Sequence, residues 1–123
     1  MKSYTNLEQS KILVEFLPLE SADSFYATDD NIIITEPYIT YLNGEKNIPA
    51  YKGTVPCWSL AALLNVLPDE VEDNHYLTLD KEGKEYCCSY EDCNGNSFRH
   101  CFSDNPVDAC VDMILKLHEL KML

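Results

Sequence analysis

At 123 residues the chain is long enough to bury its own core as one domain, 1-123, without disulfide or metal staples, and its 46% hydrophobic content lies well above the range of disordered chains. Its formal net charge is -12, from 21 acidic residues against 9 basic ones. That sign repels phosphate and anionic lipid, so it argues against nonspecific nucleic-acid binding and membrane-surface roles and favours a protein partner with a basic surface.

The opening Met1-Lys2-Ser3-Tyr4-Thr5 is polar, and no apolar run reaches signal-peptide or membrane-spanning length. A soluble, cytoplasmic protein is expected, and in that compartment the six cysteines are reduced thiols rather than a disulfide framework. Cys57 and Cys110 sit among apolar neighbours and read as small core residues. No GxGxxG, Walker-type loop, HExxH or GxSxG element occurs.

Thr5-x-x-Glu8 and Asn6-x-x-Gln9 both have capping-box spacing, which predicts a helix starting at Thr5 or Asn6. Leu7, Ile12, Leu13, Phe16 and Leu17 supply its apolar stripe, and Pro18 ends it. A short second helix is expected over Leu19 to Tyr26. From Ala27 to Val55 the β-branched run Ile32-Ile33-Ile34-Thr35 and the segment Tyr38 to Leu42 favour extended chain, but Pro37, Pro49 and turn residues interrupt them. One or two short strands in an irregular middle are expected, with Asn43-Gly44 as a turn signal.

Ser59 can cap a short helix, with Trp58 stapled to Leu63, and Leu60, Leu63, Leu64 and Leu67 as its buried stripe before Pro68. Asp69 to Asp73 reads as an acidic loop. Three strands follow. Parity places Leu77 and Leu79, then Tyr86, Cys88 and Tyr90, on the inner face of a sheet, joined through an even-length connection within Lys81 to Lys84. Glu85 and Glu91 point outward.

For the next hairpin an inner face of Phe98, His100 and Phe102 places them opposite Tyr90, Cys88 and Tyr86. That requires an odd loop, supplied by Cys93-Asn94-Gly95 with Gly95 in the left-handed region. The last element is a helix capped by Asn105, with Pro106 at its first position. Val107, Cys110, Val111, Ile114, Leu117 and His118 form its sheet-covering face, while Asp108, Asp112, Lys116 and Glu119 face water. The expected architecture is therefore α+β: N-terminal helices, an irregular middle, a short helix, a three-stranded antiparallel β-meander, and a C-terminal helix packed on the sheet.

Several pieces resemble a group of small proteins from gut bacteria and their phages. They are Glu8-Gln9-Ser10-Lys11 with Leu13, Ala22-Asp23, Pro56 with Trp58-Ser59-Leu60, Leu63-Leu64 through Leu67-Pro68, and Asn105-Pro106 with Asp108-Ala109 and Met113. The resemblance implies a common fold and a mobile-element context, and it brings no established activity to carry over. Ser24 departs from the pattern, which has an apolar residue after Ala22-Asp23.

No metal or cofactor is expected. Cys88 across from His100, with Cys87, Cys93 and Cys101 nearby, is the weak metal candidate, but adjacent strand residues point to opposite faces and cannot simply converge on one ion. The same pair is the best candidate for a thiol nucleophile, yet the groups that would activate it are missing. The carboxylates read as solvated charge. Candidate partner contacts are Trp58, Tyr26 and Tyr51, aromatics in or near the irregular stretch together with Tyr38 and Tyr41, and the exposed Asp108 and Asp112. The leading expectation is a small acidic interaction protein that is not an enzyme. The alternative is a small-molecule-binding or thiol-dependent enzyme using a pocket near Trp58 or the Cys88/His100 pair.

Overall fold

The computed structural model describes residues 2–29, 32–33, 38–39, 41–42, 45–46 and 54–123, with side chains over 2–26 and 54–123. It is mixed α+β, and the chain divides into two compact units: Ser3–Ala62, and Leu63–Leu123 with Met1–Lys2.

In the first unit, α1 (Leu7–Leu13) starts at Asn6, whose side chain accepts from the Gln9 backbone N–H at 2.8 Å while the Gln9 side chain accepts from the Asn6 N–H at 3.0 Å. This reciprocal cap selects Asn6 over Thr5 as the start. Regular helix stops at Leu13, short of Pro18, and residues 14–16 tighten into turns in which Phe16 N–H reaches the Leu13 carbonyl. Leu13 and Leu17 are buried, whereas Ile12, expected on the same stripe, is 48% exposed.

The second helix expected over Leu19 to Tyr26 does not form. A single 3-10 turn, Leu19–Ser21, leads into strand β1 (Ser24–Asp29). Residues 24–27 pair antiparallel with β6 (Thr54–Cys57), from Ser24 opposite Cys57 to Ala27 opposite Thr54, so nonlocal pairing overrides the local helical reading. Strand β1 also pairs with β2 (Ile32–Ile33) and with β3 (Tyr38–Ile39), completing a four-stranded sheet. A separate pair, β4 (Tyr41–Leu42) and β5 (Glu45–Lys46), flanks Asn43-Gly44, and those two residues lie outside the described residues. The middle thus carries more strand than expected, in two-residue pieces.

The boundary between the units falls inside α2 (Leu60–Val66). Ser59 caps it, its hydroxyl accepting from the Ala62 N–H at 3.2 Å. The second unit opens with a departure from the expected acidic loop, because Glu70–Val71 forms strand β7 and buries Val71. It pairs with β8 (His75–Glu82), followed by β9 (Glu85–Glu91) and β10 (Ser97–Ser103). The sheet therefore has four strands in the order β10-β9-β8-β7 and is not a three-stranded meander. Two positive-φ residues, Glu72 and Asn74, close the β7–β8 turn, a conformation that side-chain sterics disfavour and that hid the hairpin in the sequence.

The β8–β9 register follows the parity argument: Leu77 lies opposite Tyr90, Leu79 opposite Cys88, and Glu82 opposite Glu85, leaving the two-residue connection Gly83-Lys84. The next loop also forms as expected. Asp92 N–H donates to the Asn96 carbonyl at 3.0 Å around Cys93-Asn94-Gly95, and Gly95 has φ 82. The register beyond it does not. Ser97 pairs with Glu91, but a bulge between Ser97 and Arg99 moves the remainder by one residue, so Cys101 faces Cys88, Phe102 faces Cys87 and His100 faces Ser89. An extra residue in one strand inverts every later side chain.

Helix α3 (Pro106–Glu119) is capped by Asn105, which accepts from the Asp108 N–H at 2.8 Å, and it lies against β9 and β10. Val107, Cys110, Val111, Ile114 and Leu117 are buried as expected; Ala109 and Met113 are buried too, and His118 is exposed. Each fully buried aliphatic side chain there contributes about 1.5 to 3 kcal/mol.

Candidate functional site

Trp58 has no exposed surface and Tyr26 is 8% exposed. Their polar atoms are satisfied inside the first unit. Trp58 Nε1 donates to Ser21 Oγ at 3.0 Å, its backbone N–H donates to Thr5 Oγ1 at 3.1 Å, and Tyr26 OH donates to the Thr5 carbonyl at 2.7 Å. The buried Thr5 hydroxyl also bonds Ser10 at 2.8 Å, and the Asp23 carboxylate accepts from both the N–H and the hydroxyl of Ser59. This network holds the first unit together, and it makes both aromatic residues core members with satisfied donors. Tyr51, the third aromatic candidate, lies outside the described residues. The side chains of Tyr38 and Tyr41 lie outside them too.

Asp108 is engaged at the start of α3. It forms an ion pair with Lys2 Nζ at 2.7 Å and accepts from Asn105 Nδ2 at 2.8 Å. Asp112 is exposed, and desolvation, then the neighbouring Asp108, push its carboxyl above the ordinary range. These two residues form no broader acidic surface by themselves.

Cys88 and His100 are not brought together. His100 pairs with Ser89, and that register turns it to the face opposite Cys88. Cys101, expected outward, lies across from Cys88 on the inner face; Cys87 does face outward but is 7% exposed. Cys88 also hydrogen-bonds Cys110, which together with burial pushes its thiol far above the usual range. Burial raises Cys87 and Cys101 as well, and it pushes Cys57, aided by Asp23, up to about 12. Raised thiol pKa values disfavour the thiolate that nucleophilic chemistry requires, while Cys110, the partner of Cys88 in that bond, is shifted down by it. Among the described residues, no group of three or more His, Cys, Asp or Glu side chains is placed to hold a metal ion.

The arrangement with chemical potential is the outer face of the β7–β10 sheet. Register alternation places Glu70, Tyr76, Thr78, Asp80, Glu82, Glu85, Cys87, Ser89, Glu91, His100 and Phe102 there. Tyr76 is 49% and Phe102 45% exposed, and Glu70, Asp80, Glu82 and Glu85 are exposed around them. His100 packs edge-on against Phe102 with ring centroids 5.3 Å apart. None of these register positions is Lys or Arg. Lys81, opposite Tyr86 on the other face, sits with its Nζ 5.5 Å from that ring.

Glu85 and Glu91 were legible as outward positions. Tyr76, Asp80 and Glu82 alternate with Leu77 and Leu79, so their outward direction was also available in the sequence. Phe102 was assigned inward because the bulge at Phe98 carries no sequence signal as plain as a glycine. Comparisons with protein-family models, curated proteins and solved structures find no match to this chain. Among the described residues, no helix is long and apolar enough to cross a membrane.

Proposed function

We propose that this is a nonenzymatic interaction protein that presents the outer face of its β7–β10 sheet to an arginine- or lysine-rich segment of a protein partner. The observation that carries the reading is the composition of that face: exposed Tyr76 and Phe102 surrounded by Glu70, Asp80, Glu82 and Glu85, with no Lys or Arg among its register positions. A guanidinium gains from both groups, through charge-assisted hydrogen bonds to carboxylates and stacking on aromatic faces. A chain of net charge -12 also steers such a segment toward itself over long range. The reading includes a soluble, cytoplasmic setting. The thiol-dependent alternative draws no support from raised thiol pKa values or from Cys88 and His100 on opposite faces.

Fluorescence anisotropy with a labelled arginine-rich peptide tests the proposal. Saturable binding that weakens with added salt is expected, with a loss of roughly tenfold in Asp80→Asn/Glu85→Gln, about 1.4 kcal/mol. Absence of saturable binding at low salt, or equal binding by that variant, overturns it.

A further inference from the structure

A second feature of the same sheet, the outer edge of β10, points to a second copy of this chain. The strand stands at one end of the sheet order, and among the described residues it pairs with β9 alone. At the opposite end the two-residue strand β7 pairs only with His75 and Tyr76, so the remaining long edge there is β8, which carries Asp80 and Glu82, whereas β10 offers seven residues. An edge of that length presents a row of backbone donors and acceptors ready to pair with another strand.

Charge selects the occupant. The other two long strands of this sheet carry Asp80 and Glu82 in β8 and Glu85 and Glu91 in β9. Ser97-Phe98-Arg99-His100-Cys101-Phe102-Ser103 carries no carboxylate and one Arg. Two copies of a chain with net charge -12 repel each other over most of their surfaces, and pairing along this strand sets no strand carboxylate opposite another. A cationic partner segment is drawn instead to the acidic face.

We propose that β10 pairs antiparallel with β10 of a second copy, forming a symmetric dimer with a continuous eight-stranded sheet. The bulge between Ser97 and Arg99 leaves Arg99 to Ser103 as the regular stretch, and its midpoint is Cys101. A two-fold axis there sets His100 of one copy opposite Phe102 of the other, and Arg99 opposite Ser103. The His100 and Phe102 rings already pack against each other within one chain, so the interface extends that aromatic contact across the axis. The dimer needs no cationic partner, but it shares His100 and Phe102 with the outer face, so it is measured without peptide.

Light scattering over a concentration series, with amide hydrogen exchange on the same samples, tests it. The expected result is a mass rising from 14.1 kDa toward twice that value, with the rise moving to lower concentration as salt screens the net charge. Concentration-dependent protection of amides in Arg99 to Ser103 should accompany it. His100→Glu and Phe102→Lys are each expected to weaken the dimer by roughly tenfold, about 1.4 kcal/mol. A monomer mass at every concentration overturns the proposal. So does a dimer whose β10 amides gain no protection, or one that survives both substitutions unchanged.

Discussion

The two faces of the β7–β10 sheet share the same strands, yet they differ in how far their large side chains are removed from water. The inner face carries Leu77, Leu79, Cys88 and Tyr90, with α3 lying against β9 and β10, and Cys88 and Tyr90 retain no exposed surface. Tyr90 shows how that face treats a polar atom: its hydroxyl donates to the Pro68 carbonyl at 2.7 Å, and burial raises its pKa. The outer face leaves Tyr76 and Phe102 nearly half exposed amid carboxylates. Burial of apolar area stabilises the fold only where water is removed, so the inner face contributes most to stability. The outer face, which buries Cys87 and Ser89 but leaves Tyr76 and Phe102 wet, is the one on which the proposed recognition rests.

The sharpest way to break this comparison is to truncate one large residue on each face. Tyr90→Ala is expected to cost about 3 to 5 kcal/mol, read by denaturant unfolding, because it removes a fully buried ring and orphans its partner carbonyl. Tyr76→Ala should cost under about 1 kcal/mol in the same assay, since half its surface is already wet. Similar losses at both sites would erase the distinction.

A smaller effect is expected at the turn that joins the central strand to the edge. The Asp92 carboxylate accepts from the N–H groups of Asn94 and Asn96, each at 2.9 Å, and from Asn96 Nδ2 at 3.2 Å. These bonds, led by those from Asn96, hold its pKa below the ordinary carboxylate value. A depressed folded pKa contributes stability that is present above the unfolded value near 4 and is lost as pH falls through the folded one. Asp92→Ala should therefore narrow the stability difference between neutral and acidic pH, measured by urea unfolding at each pH. An unchanged pH profile would remove Asp92 from the account.

The smallest effect belongs to the end of α3. Lys121 has φ 60, and the bonds from Lys121 N–H to the His118 carbonyl and from Met122 N–H to the Leu117 carbonyl form a Schellman turn with a lysine where glycine is preferred. Lys121→Gly should stabilise by about 0.5 to 1 kcal/mol, seen as a raised Tm. The gain concerns α3 and the face it covers, so peptide binding at the outer face should stay unchanged.

Much of the second unit was legible because its signals are local. The Asn105-Pro106 cap, Gly83 and Gly95 at positive φ and the alternation through Leu77 and Leu79 each act within a few residues. What escaped depended on distant or unmarked events. Ser24 to Tyr26 became strand through pairing with residues 55–57, and the bulge after Ser97 reversed the faces of His100, Cys101 and Phe102. The candidate site shared that fate: its carboxylates Glu85 and Glu91 followed from parity, whereas Phe102 required the bulge, and Trp58 and Tyr26 proved to be buried anchors.

The proposed recognition by the outer sheet face can be read residue by residue from backbone amide NMR shifts during titration with an arginine-rich peptide. Saturable shifts concentrated at Tyr76, Thr78, Asp80, Glu85, Ser89 and Phe102 are expected. Shifts centred instead on the α3 carboxylates Asp108 and Asp112, or spread evenly over the acidic surface, would contradict it.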